Sequence, residues 1–280
     1  MHLFHSQYGK SEVGLLKIFR EGKRHTVKEI TVSALVSGDF SRAFLAGDNA
    51  TTVPTDTIKN TIYALAKDQF GLDGIEAFGQ RLARHFLDKY ASFDRITLEL
   101  KERHWARMER GGVPEPHSFL GSGDGIRTTI IQACRSQPFD ITAGLEGLEI
   151  LKSTGSGFVG FPRCEFTTLP ETTDRIMATR LSGNWHYRQV PPDYNRCHST
   201  VREAFLEVFA TRYSRAVQET LYQMATLALE RVPEIDSVSL RLPNLHYFTY
   251  DLSRFGMTNE NEIFYPAPNP HGDISATVTR

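Results

Sequence analysis

Residues 95–100 read RITLEL, and residues 237–242 read SVSLRL. In both, every second side chain is apolar: Ile96, Leu98 and Leu100 in the first, Val238, Leu240 and Leu242 in the second. Alternation with a period of two predicts a strand that buries one face. Each of the two follows a helical pattern after a short connection, and they lie about half a chain apart.

The same grammar extends outward from both. In the first half, a hairpin is predicted over 13–37: Leu16 and Ile18 alternate with polar neighbours, REGKRH turns, and Ile30, Val32, Ala34 and Val36 alternate again. Lys10, after Tyr8-Gly9, falls before this strand. A loop over 38–52 leads to Val53-Pro54-Thr55-Asp56, where a helix is expected with Thr55 or Asp56 as its cap and Ile58, Ile62 and Leu65 on one face. Ile75, Phe78, Leu82 and Phe86 mark a second helix. The Ile96 strand runs on to Trp105, and after GGVPEP another strand region reaches Ile131.

The second half repeats the order. Strands are expected over 145–151 and 180–190. A helix follows with Thr200 and Glu203 at capping-box spacing and Val201, Phe205, Val208 and Phe209 inward. The next helix carries Val217, Leu221, Met224 and Ala228. The Val238 strand runs into Asn244-Leu245-His246-Tyr247, and Ile274, Ala276 and Val278 form a last strand. A long-period duplication accounts for this order. It implies an α+β fold of two tandem units, 1–144 and 145–280, each an antiparallel sheet with two helices packed on one face.

Composition narrows the function. The 280 residues are 40% hydrophobic and 23% charged with a formal net charge of -1, so no basic excess points to nucleic acid or an anionic membrane. No apolar run approaches the ~20 residues that span a bilayer. Cys134, Cys164 and Cys197 are odd in number and scattered, which fits a reducing compartment rather than a disulfide framework or zinc site. The start lacks a signal-peptide layout and ATVTR at the end is not a peroxisomal SKL signal, so a cytoplasmic protein is expected. GSGDG at 121–125 lacks the following Lys-Ser/Thr and leads into a β-branched stretch, which argues against a phosphate loop.

Residues 148–175, LEILKSTGSGFVGFPRCEFTTLPETTDR, begin as a strand and break into a turn around Gly155 and Gly157. That turn presents Phe158 and Phe161, and Arg175 is expected to open a helix. A ring and a guanidinium on one irregular segment suit a flat anionic ligand. From this stretch alone, two Phe in a core and a solvated Arg are the better description. Other polar residues sit beside regular elements: Lys10, Thr55, Asp56, Gln218, Asn244 and His246, the last two facing one side of a strand. Taken singly, they read as a surface charge, helix caps, a solvated amide and a core histidine.

Taken together these segments resemble the urate oxidase (uricase) family over nearly the whole chain. The matching strings are QYGK at 7–10, VPTDTIKNTIYALAKD at 53–68, PHSF at 116–119, LEILKSTGSGFVGF at 148–161 and EFTTLPETTDRI at 165–176. They continue with AVQETLYQMA at 216–225, LPNLHYF at 242–248 and FYPAPNPHGDISATVTR at 264–280. The resemblance implies the tunnelling fold, two such units per chain, assembled into a β-barrel across the subunits of a homotetramer.

It also implies cofactor-independent oxidation of urate by O2 and water to 5-hydroxyisourate and H2O2, with no metal. Arg175 and Gln218 are then expected to grip the urate anion and Phe158 to stack on it. Leu169 and Val217 would form apolar walls, with Ile274 near the pocket and main-chain groups at Val217 and Asp56 completing the hydrogen bonding. Lys10, Thr55 and His246 resemble the family's proton-relaying set, and Asn244 its holder of O2 or water. Lys10, Thr55 and Asp56 would come from a neighbouring subunit. Pro54 stands where the family often has Ala, and Leu245 separates Asn244 from His246; neither changes a named polar group. A pterin- or guanine-handling enzyme of the same fold and a purine-binding carrier without turnover are the alternatives. The Arg175/Gln218 pair and the absence of a His/Cys metal set oppose the first, and the joint presence of Lys10, Thr55 and His246 opposes the second.

Overall fold

Period-two alternation does build strands here, and they run longer than the apolar residues alone predict. In the computed structural model, which describes residues 2–280, β1 (Gln7–Glu21) and β2 (Arg24–Ser37) pair antiparallel from Gln7↔Ser37 to Glu21↔Arg24. Ile30, Val32, Ala34 and Val36 are all buried. β3 (Arg95–Arg110) pairs antiparallel with both β2 and β4 (Val113–Cys134), and buries Ile96, Leu98 and Leu100. Later in the chain come β5 (Asp140–Lys152), β6 (Met177–Tyr187), β7 (Ile235–Thr249) and β8 (Phe264–Thr279), the last two an antiparallel pair.

Between the strands lie α1 (Ser41–Ala46), α2 (Thr55–Gln69), α3 (Ile75–Lys89), α4 (Tyr194–Thr211) and α5 (Val217–Arg231). Apart from the short α1, the order strand, strand, helix, helix, strand, strand occurs twice, and the fold is α+β. The chain divides into two compact units. One holds the residues up to Leu145 together with His186–His198, and the other holds Glu146–Trp185 and Ser199–Arg280.

In the first unit, α2 buries Ile58, Ile62 and Ala66, and α3 buries Ile75, Phe78, Leu82 and Phe86. Helix α3 lies so close to the strands that a Cβ on Gly79 would meet the Ile131 side chain at 2.5 Å. Glu76 of α3 is fully buried beneath the Arg127 guanidinium, which also donates to Asn195 Oδ1 at 2.7 Å. Asn195 in turn donates to the Leu72 carbonyl at 2.7 Å, and Gln80 donates to the Tyr194 hydroxyl at 2.7 Å. These bonds fasten the 186–198 segment to the first unit.

At each of the four long helices a basic side chain from a strand or a strand's end donates to carbonyls at or just beyond the C-terminus. Lys17 of β1 donates to Ala66, Lys67 and Phe70 at the end of α2, at 2.6–2.8 Å. Arg135, just past β4, donates to Tyr90 and Phe93 beyond α3. Lys152 of β5 donates to the Arg212 carbonyl beyond α4 at 2.9 Å. Arg280, just past β8, donates to Leu229, Val232 and Ile235 around the end of α5. A cation at a helix C-terminus answers both the free carbonyls and the negative end of the dipole. First strand with first helix and last strand with second helix is the same wiring in both halves.

Several local expectations are corrected. Residues 41–46, expected in a loop, form α1. Helix α2 starts at Thr55 after Pro54 with no side-chain cap, and the Asp56 carboxylate turns instead to Lys59 and Asn60. Helix α4 begins six residues before Thr200, and Asp193 accepts the Asn195 and Arg196 N–H groups there. Lys10 and the GSGDG run lie within strands β1 and β4. Arg175 opens no helix; it stands in the irregular approach to β6.

Replacing Lys17 with Met keeps its apolar stem and deletes the cap on α2. The expected result is a loss of about 1–2 kcal/mol in urea unfolding; an unchanged midpoint would show that the three carbonyls need no cation.

Candidate active site

After Lys152 the chain leaves β5 and doubles back on itself before β6. Its two arms are tied together by backbone bonds: Phe158 N–H to Thr172 O at 2.7 Å, Thr172 N–H to Phe158 O at 3.1 Å, and Arg175 N–H to Ser156 O at 2.8 Å. The loop is also tied to the segment that precedes α5, by Gly157 N–H to Ser214 O at 2.8 Å and Ser214 N–H to Gly155 O at 2.9 Å. Asp174 accepts from the Thr154 hydroxyl at 2.8 Å and the Gly155 N–H at 3.1 Å, and the Tyr213 hydroxyl donates to the Thr173 carbonyl at 2.6 Å. Gly157 has no substitute here. A Cβ would collide with the Tyr213 hydroxyl and lie 2.9 Å from the Thr172 oxygen.

This strapping fixes what the loop presents. The half-buried Arg175 guanidinium lies 5.4 Å from the Phe158 ring centroid. No carboxylate is paired with it among the described residues, and burial pulls its pKa below the usual arginine value. A guanidinium drawn partly out of water without a counter-ion is a ready site for an anion. Phe158 is stacked on Phe161, with centroids 4.9 Å apart and planes 12° apart.

The Ser214 strap carries the start of α5 to the same loop. The Ser214 and Thr220 hydroxyls bond to each other at 2.6 Å in a buried position, and Val217, the first helical residue, is buried beside them. Gln218 follows, exposed. With Ala216 as N-cap the helix has no side-chain cap, so its first-turn N–H groups and positive dipole end are open to an acceptor.

Strands β7 and β8 supply a second group. Leu242 pairs with Ile274 and Asn244 with Gly272, but His246 pairs with Ala267, so β8 bulges through 268–271. Asn244 and Ile274 flank Gly272, each with an atom within 3.6 Å of where its Cβ would be. The His246 ring stacks on Phe248 at 5.5 Å. Its pKa lies below the ordinary histidine value because of burial first, then the positive charges of Arg175 and His271. Within the second unit, Arg175 thus lies by Phe158 and near enough to His246 for its charge to lower the imidazole pKa. Leu169 lies on an exposed part of the loop.

Lys10, Thr55 and Asp56 belong to the first unit. The Tyr8 hydroxyl accepts the Val53 N–H at 2.9 Å, and the Tyr8 ring packs edge-on against Phe40, which sets the loop ahead of α2. Thr55 and Asp56 are exposed at the mouth of that helix. Asp56 is held below the usual carboxylate range by its bond to Lys59, then by Asn60 and by the charge of Lys10. Lys10 and Asp56 therefore share one electrostatic neighbourhood.

The residues that brace this site went unnoticed in the sequence. Tyr213, Ser214 and Asp174 act through backbone contacts made only after folding, and His271 enters through a bulge with no local signature. The Gly155 and Gly157 spacing marked the turn but not what it is tied to. Cys134, Cys164 and Cys197 form no disulfide among the described residues, and among those residues no three His, Cys, Asp or Glu converge as metal ligands. No described helix is long and apolar enough to cross a membrane.

A family model described as Uricase matches residues 6–132 and 141–275. The uricase of Arthrobacter globiformis is 43% identical over 278 residues, covering 98% of this chain and 89% of the relative. That of Oryctolagus cuniculus is 39% identical, covering 98% and 93%. The crystal structure of the Arthrobacter globiformis uricase superposes with a TM-score of 0.93 at 42% identity over 100% of this chain and 95% of that one. The urate oxidase of Bacillus sp. TB-90 superposes with a TM-score of 0.86 at 25% identity, over 98% of this chain and 100% of that one.

The environment of His246 has a measurable consequence. Its imidazole should titrate below ~6.5, and Arg175→Ala should raise that midpoint by removing a nearby cation, as read by NMR with His246→Gln for assignment. Because the folded state holds its proton less firmly than the unfolded chain, the associated stability is present above that ordinary value and is lost as pH falls below it. A midpoint at or above the ordinary value, or one indifferent to Arg175→Ala, would separate the two side chains.

Proposed function

This chain belongs to the uricase family, and we propose that it oxidises urate with O2 and water to 5-hydroxyisourate and H2O2 at a site built on Arg175. The observation that carries the assignment of the site is the half-buried Arg175 guanidinium, unpaired with any carboxylate among the described residues, beside the Phe158 ring and on a loop strapped to the uncapped start of α5. A flat purine anion matches all three: charge for the guanidinium, a face for the ring, and carbonyl and ring-nitrogen acceptors for N–H groups.

In this site Arg175 binds one edge of urate through two N–H donors, and the Gln218 amide both donates and accepts along the same edge. Phe158 stacks on the ring, and Val217, Leu169 and Ile274 close its apolar surroundings. Main-chain groups at Val217 and Asp56 complete the hydrogen bonding, and Asn244 holds O2 or water over the ring plane. His246, kept neutral near pH 7, takes up a proton, with Thr55 and Lys10 as its partners in the relay. Two electrons pass from the deprotonated urate to O2, which leaves as H2O2. Water adds its oxygen to the oxidised ring. The substrate is itself the reductant, so the protein's work is orientation, charge stabilisation and proton transfer.

Lys10, Thr55 and Asp56 lie in the first unit and the gripping residues in the second. We assign the two sets to different subunits of a homotetramer whose strand edges, β1 and β8, are covered by other copies, as exposed edges ordinarily are. The repeated unit spans 1–144 and 145–280. Three cysteines outside any disulfide among the described residues agree with a reducing compartment, and we place the protein in the cytoplasm.

Loss of urate's ultraviolet absorbance with matching O2 uptake, undiminished by a chelator, is the expected result. No turnover, or turnover abolished by chelation, would overturn the reading. Arg175→Ala should weaken the affinity for xanthine, an unreactive planar purine, by about 30-fold or more. Lys10→Ala should lower kcat by about 100-fold while leaving xanthine affinity near native. Equal effects on xanthine would refute that division of labour.

A further inference from the structure

A ring held in one orientation makes a better stacking platform, and the Phe158 ring has a second aromatic ring laid against it. Phe161 lies parallel to Phe158 with centroids 4.9 Å apart and planes 12° apart, so one of the two faces of Phe158 is filled. The chain must reverse sharply to lay the two rings together. Gly160 makes the reversal in the left-handed region at φ 73°, and its N–H is held by the Glu171 carboxylate at 3.0 Å. The next residue, Thr172, forms the two backbone bonds that clamp Phe158. Beyond the pair, the Arg163 guanidinium packs 5.6 Å from the Phe161 centroid. The backbone of Phe158 and the face of its ring that meets Phe161 are therefore both fixed, and the Arg175 guanidinium stands 5.4 Å from the same ring.

We propose that Phe161 is a positioning residue for substrate binding: by backing Phe158 it fixes the ring plane on which the purine stacks. This rests on the assignment of Phe158 and Arg175 to the substrate site. Offset-stacked aromatic pairs are worth more than the area they bury, because their quadrupoles favour a definite geometry. A side chain of similar volume but no flat face would keep the loop covered and leave the Phe158 ring free to turn. Binding would then include the cost of fixing that ring, while the chemical step, carried by other groups, would not change.

The test compares Phe161→Leu and Phe161→Tyr for urate turnover and for xanthine affinity, with melting temperature recorded for each. Phe161→Leu should raise KM for urate and Kd for xanthine by about 3–10-fold with kcat near native. Phe161→Tyr, which restores a flat ring, should return both constants to within about twofold of native. Native constants in the Leu variant, equal losses in Leu and Tyr, or a kcat that falls in step with the folded fraction would each overturn the proposal. Arg175→Ala separates the two levels. If it loses xanthine while Phe161→Leu does not, only the role of Phe161 fails; if it binds xanthine normally, the site assignment fails and this role falls with it.

Discussion

A guanidinium taken half out of water with no carboxylate beside it is an unstable arrangement unless something else supplies the negative charge. Arg175 is in that position, and much of the surrounding structure exists to keep it there. Ser156 accepts its backbone N–H, Tyr213 donates to the Thr173 carbonyl, Asp174 accepts from Thr154 and Gly155, and Ser214 ties the same loop to the start of α5. An acidic partner would make the resting protein more comfortable and would compete with any anionic substrate. Hydrogen bonds along the loop, not a counter-ion among the described residues, fix the backbone that carries Arg175.

The rest of the fold explains how such a loop can be carried. Strands that alternate apolar and polar residues bury one face against paired helices, and each long helix is finished at its C-terminus by a cation from the strand layer. The wiring is the same in both halves: Lys17 and Lys152 from the first strand, Arg135 and Arg280 from the end of the last. That correspondence supports a duplicated ancestor more strongly than element order does, because it matches individual interactions. The two halves differ in what they display. One presents Lys10, Thr55 and Asp56 near the start of its first helix, and the other presents Phe158, Arg175, Gln218, Asn244 and His246.

Much of this was legible in the chain because the physics is local. Ile96, Leu98 and Leu100 alternate, and Ile75, Phe78, Leu82 and Phe86 recur at helical spacing, so strand and helix could be assigned without tertiary knowledge. Helix boundaries were less legible. Pro54 ends the run before α2 and leaves Thr55 inside it, and Asp193 after two prolines starts α4 well ahead of the Thr200-Glu203 pair. The six-residue α1 has no apolar period to announce it. At the site, residue identities came from family strings such as TTDR and LKSTGSGF, whereas the bonds that make Arg175 available join residues tens of positions apart and leave no periodic trace.

The most direct measurement is a crystal structure of the protein with xanthine bound. The purine is expected on the open face of Phe158, its edge hydrogen-bonded to Arg175 and Gln218, with Thr55 and Lys10 of another copy completing the site. A purine bound elsewhere, or an Arg175 side chain turned to a carboxylate and away from the ligand, would contradict a site built on that guanidinium.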